Sequence, residues 1–169
     1  MVIIRQERQE DIASIHQVNA RAFSSIGEAH LVDKLRSRHQ IILSLVAIED
    51  EQIVGHILFT PVALSGNEKE YMGVGIGPLA VLPKFQKQGI GTLLVQTGLN
   101  QCQKRGYEFV VVLGEPGYYS RFGFVSTSRY HIRCEYDVPV EAFMAIALQE
   151  GALTQRPGVV KYEPEFNDV

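Results

Sequence analysis

Gln86, Gly89 and Gly91 stand in the stretch Leu79-Ala80-Val81-Leu82-Pro83-Lys84-Phe85-Gln86-Lys87-Gln88-Gly89-Ile90-Gly91-Thr92-Leu93-Leu94, and their spacing suits a bound anion. An apolar run stops at Pro83, a short polar loop follows, and the two glycines open an amphipathic helix. Glycines there leave backbone N–H groups bare at a helix N-terminus, where unpaired donors and the macrodipole favour negative charge. No acidic residue lies between Glu70 and Glu108, whereas Lys84, Lys87, Lys104 and Arg105 are basic. In a chain of net charge −3, that acid-free block marks the place for a polyanionic ligand. The competing reading is a tight strand-to-helix turn that binds nothing. Two other phosphate loops are excluded. A P-loop needs Lys-Ser/Thr after its last glycine, but Thr92-Leu93 follows Gly91. The run Gly73-x-Gly75-x-Gly77 has Pro78 in the sixth position of a dinucleotide fingerprint, and no helical pattern follows it.

The elements that must position this loop are legible on either side of it. Residues 2–5 read as a strand, and Ile12, Ile15, Asn19, Ala22 and Phe23 recur at helical spacing over residues 9–23. Ser25-x-x-Glu28 is a capping-box pattern ahead of Leu31, Val32 and Leu35, which predicts a second helix. Residues 42–48, 53–64 (interrupted at Pro61) and 70–82 are apolar and rich in β-branched residues, with polar turns between them, so they predict an antiparallel meander. Three glycines and Pro78 break the last of these strands, marking a bulge or a place where another group approaches the backbone. A helix over residues 89–105 presents Ile90, Leu93, Leu94 and Cys102, and Gly106 stops it. Residues 109–113 form a buried strand, so strand, helix and strand make one β-α-β unit with a parallel crossover. Further along, residues 143–148 and 159–162 are strand candidates, with a weaker one around 130–134.

The spacing Gln86-x-x-Gly89-x-Gly91 resembles the R/Q-x-x-G-x-G/A signature of the GNAT superfamily of acetyl-CoA-dependent N-acetyltransferases, and the element order resembles that fold along nearly the whole chain. The resemblance implies a mixed α/β domain: a central, mostly antiparallel sheet flanked by helices, with a V-shaped cofactor cleft between strands 79–81 and 109–113. It implies that Gln86, Lys87, Gln88, Gly89, Ile90, Gly91 and Thr92 wrap the CoA pyrophosphate, with Lys84 or Lys87 near the phosphates. It also implies that Leu79, Ala80 and Val81 offer backbone hydrogen bonds to pantetheine, one N–H polarising the thioester carbonyl. The alternative for that strand is an edge with a bulge and nothing bound.

Tyr118-Tyr119-Ser120-Arg121-Phe122-Gly123-Phe124 resembles the family's Y-x-x-x-G-F segment and puts Tyr119 in the tyrosine position. A thiolate leaves when an amine attacks a thioester, and a phenol of pKa ~10 is matched to protonate it, so Tyr119 is the expected general acid. A core aromatic is the alternative. Many members carry an Asn several residues earlier; here Gly114-Glu115-Pro116-Gly117 shortens the connection, and that contact does not carry over. The shortened form resembles the YhbS-type subgroup, with its G-[DE]-P-x-Y-Y-x-R-F-G-F segment. Glu28 is the candidate base or substrate-side residue, although its capping-box position already explains it. Glu115 reads as a turn acid before Pro116.

Composition bounds the rest. One domain over residues 1–169 is the simplest organisation, long enough to bury roughly 70% of its unfolded surface. At 46% hydrophobic and 21% charged, the chain fits an ordinary globular protein, with no case for nucleic-acid or membrane binding. Cys102 and Cys134 form no C-x-x-C pattern, the N-terminus holds no signal-peptide core, and a cytoplasmic location is expected. His16, His30, His39, His56 and His131 show no ligand spacing, so no metal is expected. No G-x-S-x-G segment supports a serine hydrolase. Two function classes follow. One is acetyl transfer from acetyl-CoA to a primary amine, on a small molecule or a peptide, by direct attack in a ternary complex. The other is a CoA-responsive regulatory module without turnover. Either leaves room for a homodimer.

Overall fold

The short strand β1 (Ile3–Gln6) pairs antiparallel with β2 (Leu43–Glu49), and β2 pairs antiparallel with β3 (Gln52–Ser65) from Leu43↔Phe59 to Glu49↔Gln52. Helices α1 (Ile12–Ala22) and α2 (Gly27–Ser37) cover this ladder, because Ile15, Leu31, Val32 and Leu35 form an apolar stripe that buries against Val46 and Leu58. Alternation along β3 turns Gly55 and Phe59 to other partners. A Cβ on Gly55 would lie 3.2 Å from Ile90 and from Leu94 of α3 (Ile90–Lys104), and one on Gly98 would strike the Phe59 ring.

The computed structural model describes residues 1–169 and divides into two units. The elements above belong to the first unit (Met1–Phe59, Gly77–Asn100 and Pro164–Val169), apart from the C-terminal ends of β3 and α3. The second consists of Thr60–Ile76 and Gln101–Glu163, so β3, β4 (Glu70–Val81) and α3 run through both. In the second unit, β4 pairs parallel with β5 (Phe109–Leu113) over Val74↔Val110 to Ile76↔Val112. β5 pairs antiparallel with β8 (Phe143–Ala147), which pairs antiparallel with β6 (Val125–Ser126). The sheet is therefore mixed, and α3 connects the two strands of its β4–β5 parallel step. Gly106, with φ of 87°, ends α3: its N–H reaches Gln103 O and the Tyr107 N–H reaches Cys102 O, both at 3.1 Å.

Three expectations need correction. Pro61 does not interrupt β3: the ladder to β2 ends at Phe59 and that to β9 (Gly158–Lys161) begins at Ala63, so Pro61 owes no N–H to either. Leu93 is exposed, and the buried stripe of α3 is Ile90, Leu94, Val95, Leu99 and Cys102. The Ser25/Glu28 capping box does not form, because α2 starts at Gly27 and the Ser25 hydroxyl accepts from the Gly27 N–H at 3.2 Å. In the tail, the weaker candidate around 130–134 is a strand, β7 (Ile132–Cys134), which runs parallel to β9 from Ile132↔Gly158 to Cys134↔Val160.

Candidate active site

The loop between β4 and α3 is built from its own backbone. The Leu82 N–H donates to Val54 O at 2.9 Å, and Pro83–Phe85 form one 3-10 turn closed by the Phe85 N–H to Leu82 O at 2.8 Å. Gln86 donates its side-chain amide to Val81 O at 2.9 Å, and Gln88 donates to Lys84 O at 3.2 Å. Both glutamines thus brace loop carbonyls and leave main-chain donors for a ligand. Lys87 (φ 62°) and Gly89 (φ 87°) are left-handed, the backbone form that gathers N–H groups into anion-binding concavities. A Cβ on Gly89 would meet nothing within 4 Å, so glycine serves there for its torsion and not for space. The first bond onto α3 runs from the Leu93 N–H to Gly89 O at 3.1 Å, so the N–H groups of Gly89, Ile90 and Gly91 precede its ladder. Lys84 and Lys87 stand exposed with no ion-pair partner.

Upstream, Ala80 is buried and Leu79 and Val81 are half-buried. The glycines of β4 have a different use from the one expected. A Cβ on Gly73 would strike the Phe109 ring, and one on Gly75 would lie 2.8 Å from Val62 Cγ1 and 2.9 Å from Tyr162 Cε2. The groups that approach this backbone are the chain's own core side chains.

In the second unit, α4 (Pro116–Tyr119) is a single turn whose Tyr118 and Tyr119 N–H groups both reach Glu115 O, at 3.1 and 3.0 Å. Glu115 precedes the turn without a side-chain cap. The two tyrosines part company here. The Tyr119 ring is buried over Gly114, where a Cβ would collide with it, and packs edge-on to Phe124 at 5.6 Å. Tyr118 carries the Arg121 guanidinium at 4.5 Å over its ring. Burial, and secondarily Tyr118, pushes the Tyr119 phenol up to about 12, so it holds its proton at neutral pH and can act as an acid. Gly123, at φ of 101°, turns the chain back into Phe124.

Glu28 lies in the first turn of α2, half-buried, with no capping role. His56 is buried between Asn19 (Nδ1 to Nδ2, 3.1 Å) and Ser44 (Nε2 to Oγ, 2.9 Å). That trio resembles a nucleophile–base–orienter set but has the opposite polarity. The Asn19 amide also donates to Ile15 O at 3.0 Å, so Nδ1 of His56 must accept, Nε2 carries the hydrogen, and Ser44 Oγ receives it. Ser44 is therefore not activated. The sequence reading also passed over Tyr162, buried against Gly75, and a cavity of about 380 Å³ beside β7. Their only sequence signal was the apolar tail segment ending at Tyr162.

Comparison with known proteins agrees with this architecture. Residues 3–126 match the model of the acetyltransferase (GNAT) domain. The chain is 38% identical to the uncharacterized N-acetyltransferase YhbS of Escherichia coli K12, over 98% of this chain and 99% of that one. The crystal structure of Escherichia coli YhbS in complex with CoA superposes with a TM-score of 0.93, covering 98% of this chain and 92% of that one at 38% identity. A GNAT acetyltransferase from Brucella melitensis in complex with acetyl-CoA matches with a TM-score of 0.80 over 98% of each chain, also at 38% identity. No helix here is long and apolar enough to cross a membrane. The chain belongs to the GNAT family of acetyltransferases.

Proposed function

We propose that this enzyme transfers the acetyl group of acetyl-CoA to a primary amine by direct attack in a ternary complex. The observation that carries the reading is the 86–92 loop: left-handed Lys87 and Gly89, N–H groups ahead of the α3 ladder, and two unpaired lysines. That donor set fits a pyrophosphate, and relatives at 38% identity are described with CoA and acetyl-CoA bound. The backbone of Gly89, Ile90, Gly91 and Thr92 would hold the phosphates, with Gln86 and Gln88 bracing the loop. Leu79, Ala80 and Val81 would offer main-chain groups to pantetheine. Acetyl-CoA supplies the activated acyl carbon. Tyr119 holds a proton at neutral pH and would deliver it to the departing thiolate.

A screen of primary amines with thiol-release detection tests the activity. Tyr119→Phe keeps the ring and its packing, so acetyl-CoA affinity should hold while turnover falls by roughly 10²- to 10⁴-fold. Tyr118→Phe should stay near wild type. Full turnover in Tyr119→Phe would remove the acid assignment. Binding of acetyl-CoA with no thiol release from any amine would leave a CoA-responsive module.

A further inference from the structure

Within the second unit, β7 leaves the neighbourhood of β6 to lie parallel to β9, and β9 pairs antiparallel with Ala63–Ser65 of β3. A cavity of about 380 Å³ opens between β7, the 3-10 turns at Thr127–Tyr130 and Val140–Ala142, and the start of β8. Such a volume suits a small ligand. Ile132, Tyr136, Val138, Val140 and Phe143 line the cavity alongside polar side chains. Val140 is 64% exposed, so the cavity is reached from solvent past that side chain.

One lining residue, Tyr136, packs on towards further phenols. The Tyr136 ring lies 6.2 Å from that of Tyr162, and Tyr162 fits into the space left by Gly75, next to Ile76 where the β4–β5 ladder ends. The Glu135 carboxylate is fixed beside them, accepting from the Tyr162 N–H at 2.6 Å. The Tyr119 phenol adds, as the smallest of several causes, to the opposition to Tyr162 ionising. Asp137 at the cavity supplies the negative charge an ammonium needs, whereas Arg133, also at the cavity, repels a second one.

We propose that this cavity is the acceptor pocket, and that the acceptor is a primary monoamine on an apolar or aromatic body. The inference rests on the acetyl-transfer reading above. The amine, having given one proton to solvent, forms a bond to the acetyl carbon. The carbon–sulfur bond breaks, the sulfur takes a proton from Tyr119, and Tyr119 recovers one, by way of solvent, from one of the two N–H groups of the attacking nitrogen, the other staying in the amide. One amide, one CoA thiol and one released proton balance one ammonium and one acetyl-CoA.

The test uses the full chain, with 2-phenylethylamine and spermidine as probes. Wild type should favour 2-phenylethylamine in kcat/KM by about tenfold or more. Val140→Trp, at an exposed position that does not threaten folding, should raise KM for 2-phenylethylamine by about tenfold while the acetyl-CoA Kd holds within about twofold. Saturation-transfer NMR with 2-phenylethylamine in the absence of acetyl-CoA gives a readout free of turnover, and its signal should vanish in Val140→Trp. Acetylation of spermidine in preference, or equal turnover of 2-phenylethylamine by both proteins, would overturn the pocket and leave acetyl transfer standing. Absence of thiol release with every amine would overturn acetyl transfer, and the NMR signal would then show separately whether the cavity takes the amine.

Discussion

His56 makes the stability of the first unit sensitive to mild acid. Its ring is fully buried and neutral, with Nδ1 accepting from Asn19 and Nε2 donating to Ser44. Turning the Asn19 amide over would set Oδ1 against the Ile15 carbonyl, so Asn19 keeps its Oδ1 buried without a hydrogen bond. A proton on Nδ1 would then face an N–H donor. Burial, and secondarily the charge of Arg36, depresses His56 from 6.5 to about 3. The sign follows from linkage. The unfolded chain takes up the proton near pH 6.5 and the folded chain refuses it until about pH 3, so stability is full above pH 6.5 and lost as pH falls. At 1.36 kcal/mol per pH unit, the loss reaches about 2 kcal/mol at pH 5, which for a chain of this size is about 4 to 8 °C in Tm.

Urea unfolding of wild type and His56→Gln at pH 7.5 and pH 5.0 checks the value. The other four histidines and all carboxylates are common to both proteins and cancel in the difference of differences. Wild type should lose about 2 kcal/mol more than the variant between the two pH values. Parallel losses would show that His56 does not titrate differently in the folded chain, and the tautomer argument would fall with it.

Other consequences follow from the same contacts. Gly91→Val should crowd the phosphates and weaken acetyl-CoA binding in calorimetry without unfolding the chain, and added salt should weaken the wild-type complex as well. Gly98→Ala places a methyl against the Phe59 ring. The overpacking cost, about 1–3 kcal/mol, should exceed the helix-propensity gain of about 1 kcal/mol, giving a net fall in urea stability. Arg38 holds the Glu165 carboxyl below its usual range by a direct hydrogen bond, so the stability it adds is present above about pH 4 and lost as pH falls further. Arg38→Ala should therefore cost about 1–3 kcal/mol at neutral pH by leaving Glu165 nearly buried, with the difference from wild type shrinking in acid.

The parts of this molecule that were legible in the sequence are those fixed by local pattern. The span of β5, the stop of α3 at Gly106 and the strand–loop–helix around Gly89 each follow from residues within a few positions of one another. What misled was also local. Ser25 and Glu28 have the spacing of a capping box, but the chain enters α2 one residue later, through Ile26. The glycines of β4 suggested a strand opened for a ligand, yet Gly73 and Gly75 yield their space to Phe109 and Tyr162, residues 36 and 87 positions away in the sequence.

The tail was the least legible part because its strands are short and its pairings distant. Three residues of β7 have pattern enough only for a weak strand candidate around 130–134, and nothing local names their partner, β9, some 26 positions on and itself paired with Ala63–Ser65. Yet this non-local arrangement brings Tyr136, which lines the cavity beside β7, together with Tyr162 and Glu135. The loop proposed to hold the phosphates can be written in a short motif. A pocket that selects one amine among many depends on contacts between distant segments, so its chemistry becomes readable only when the chain is folded.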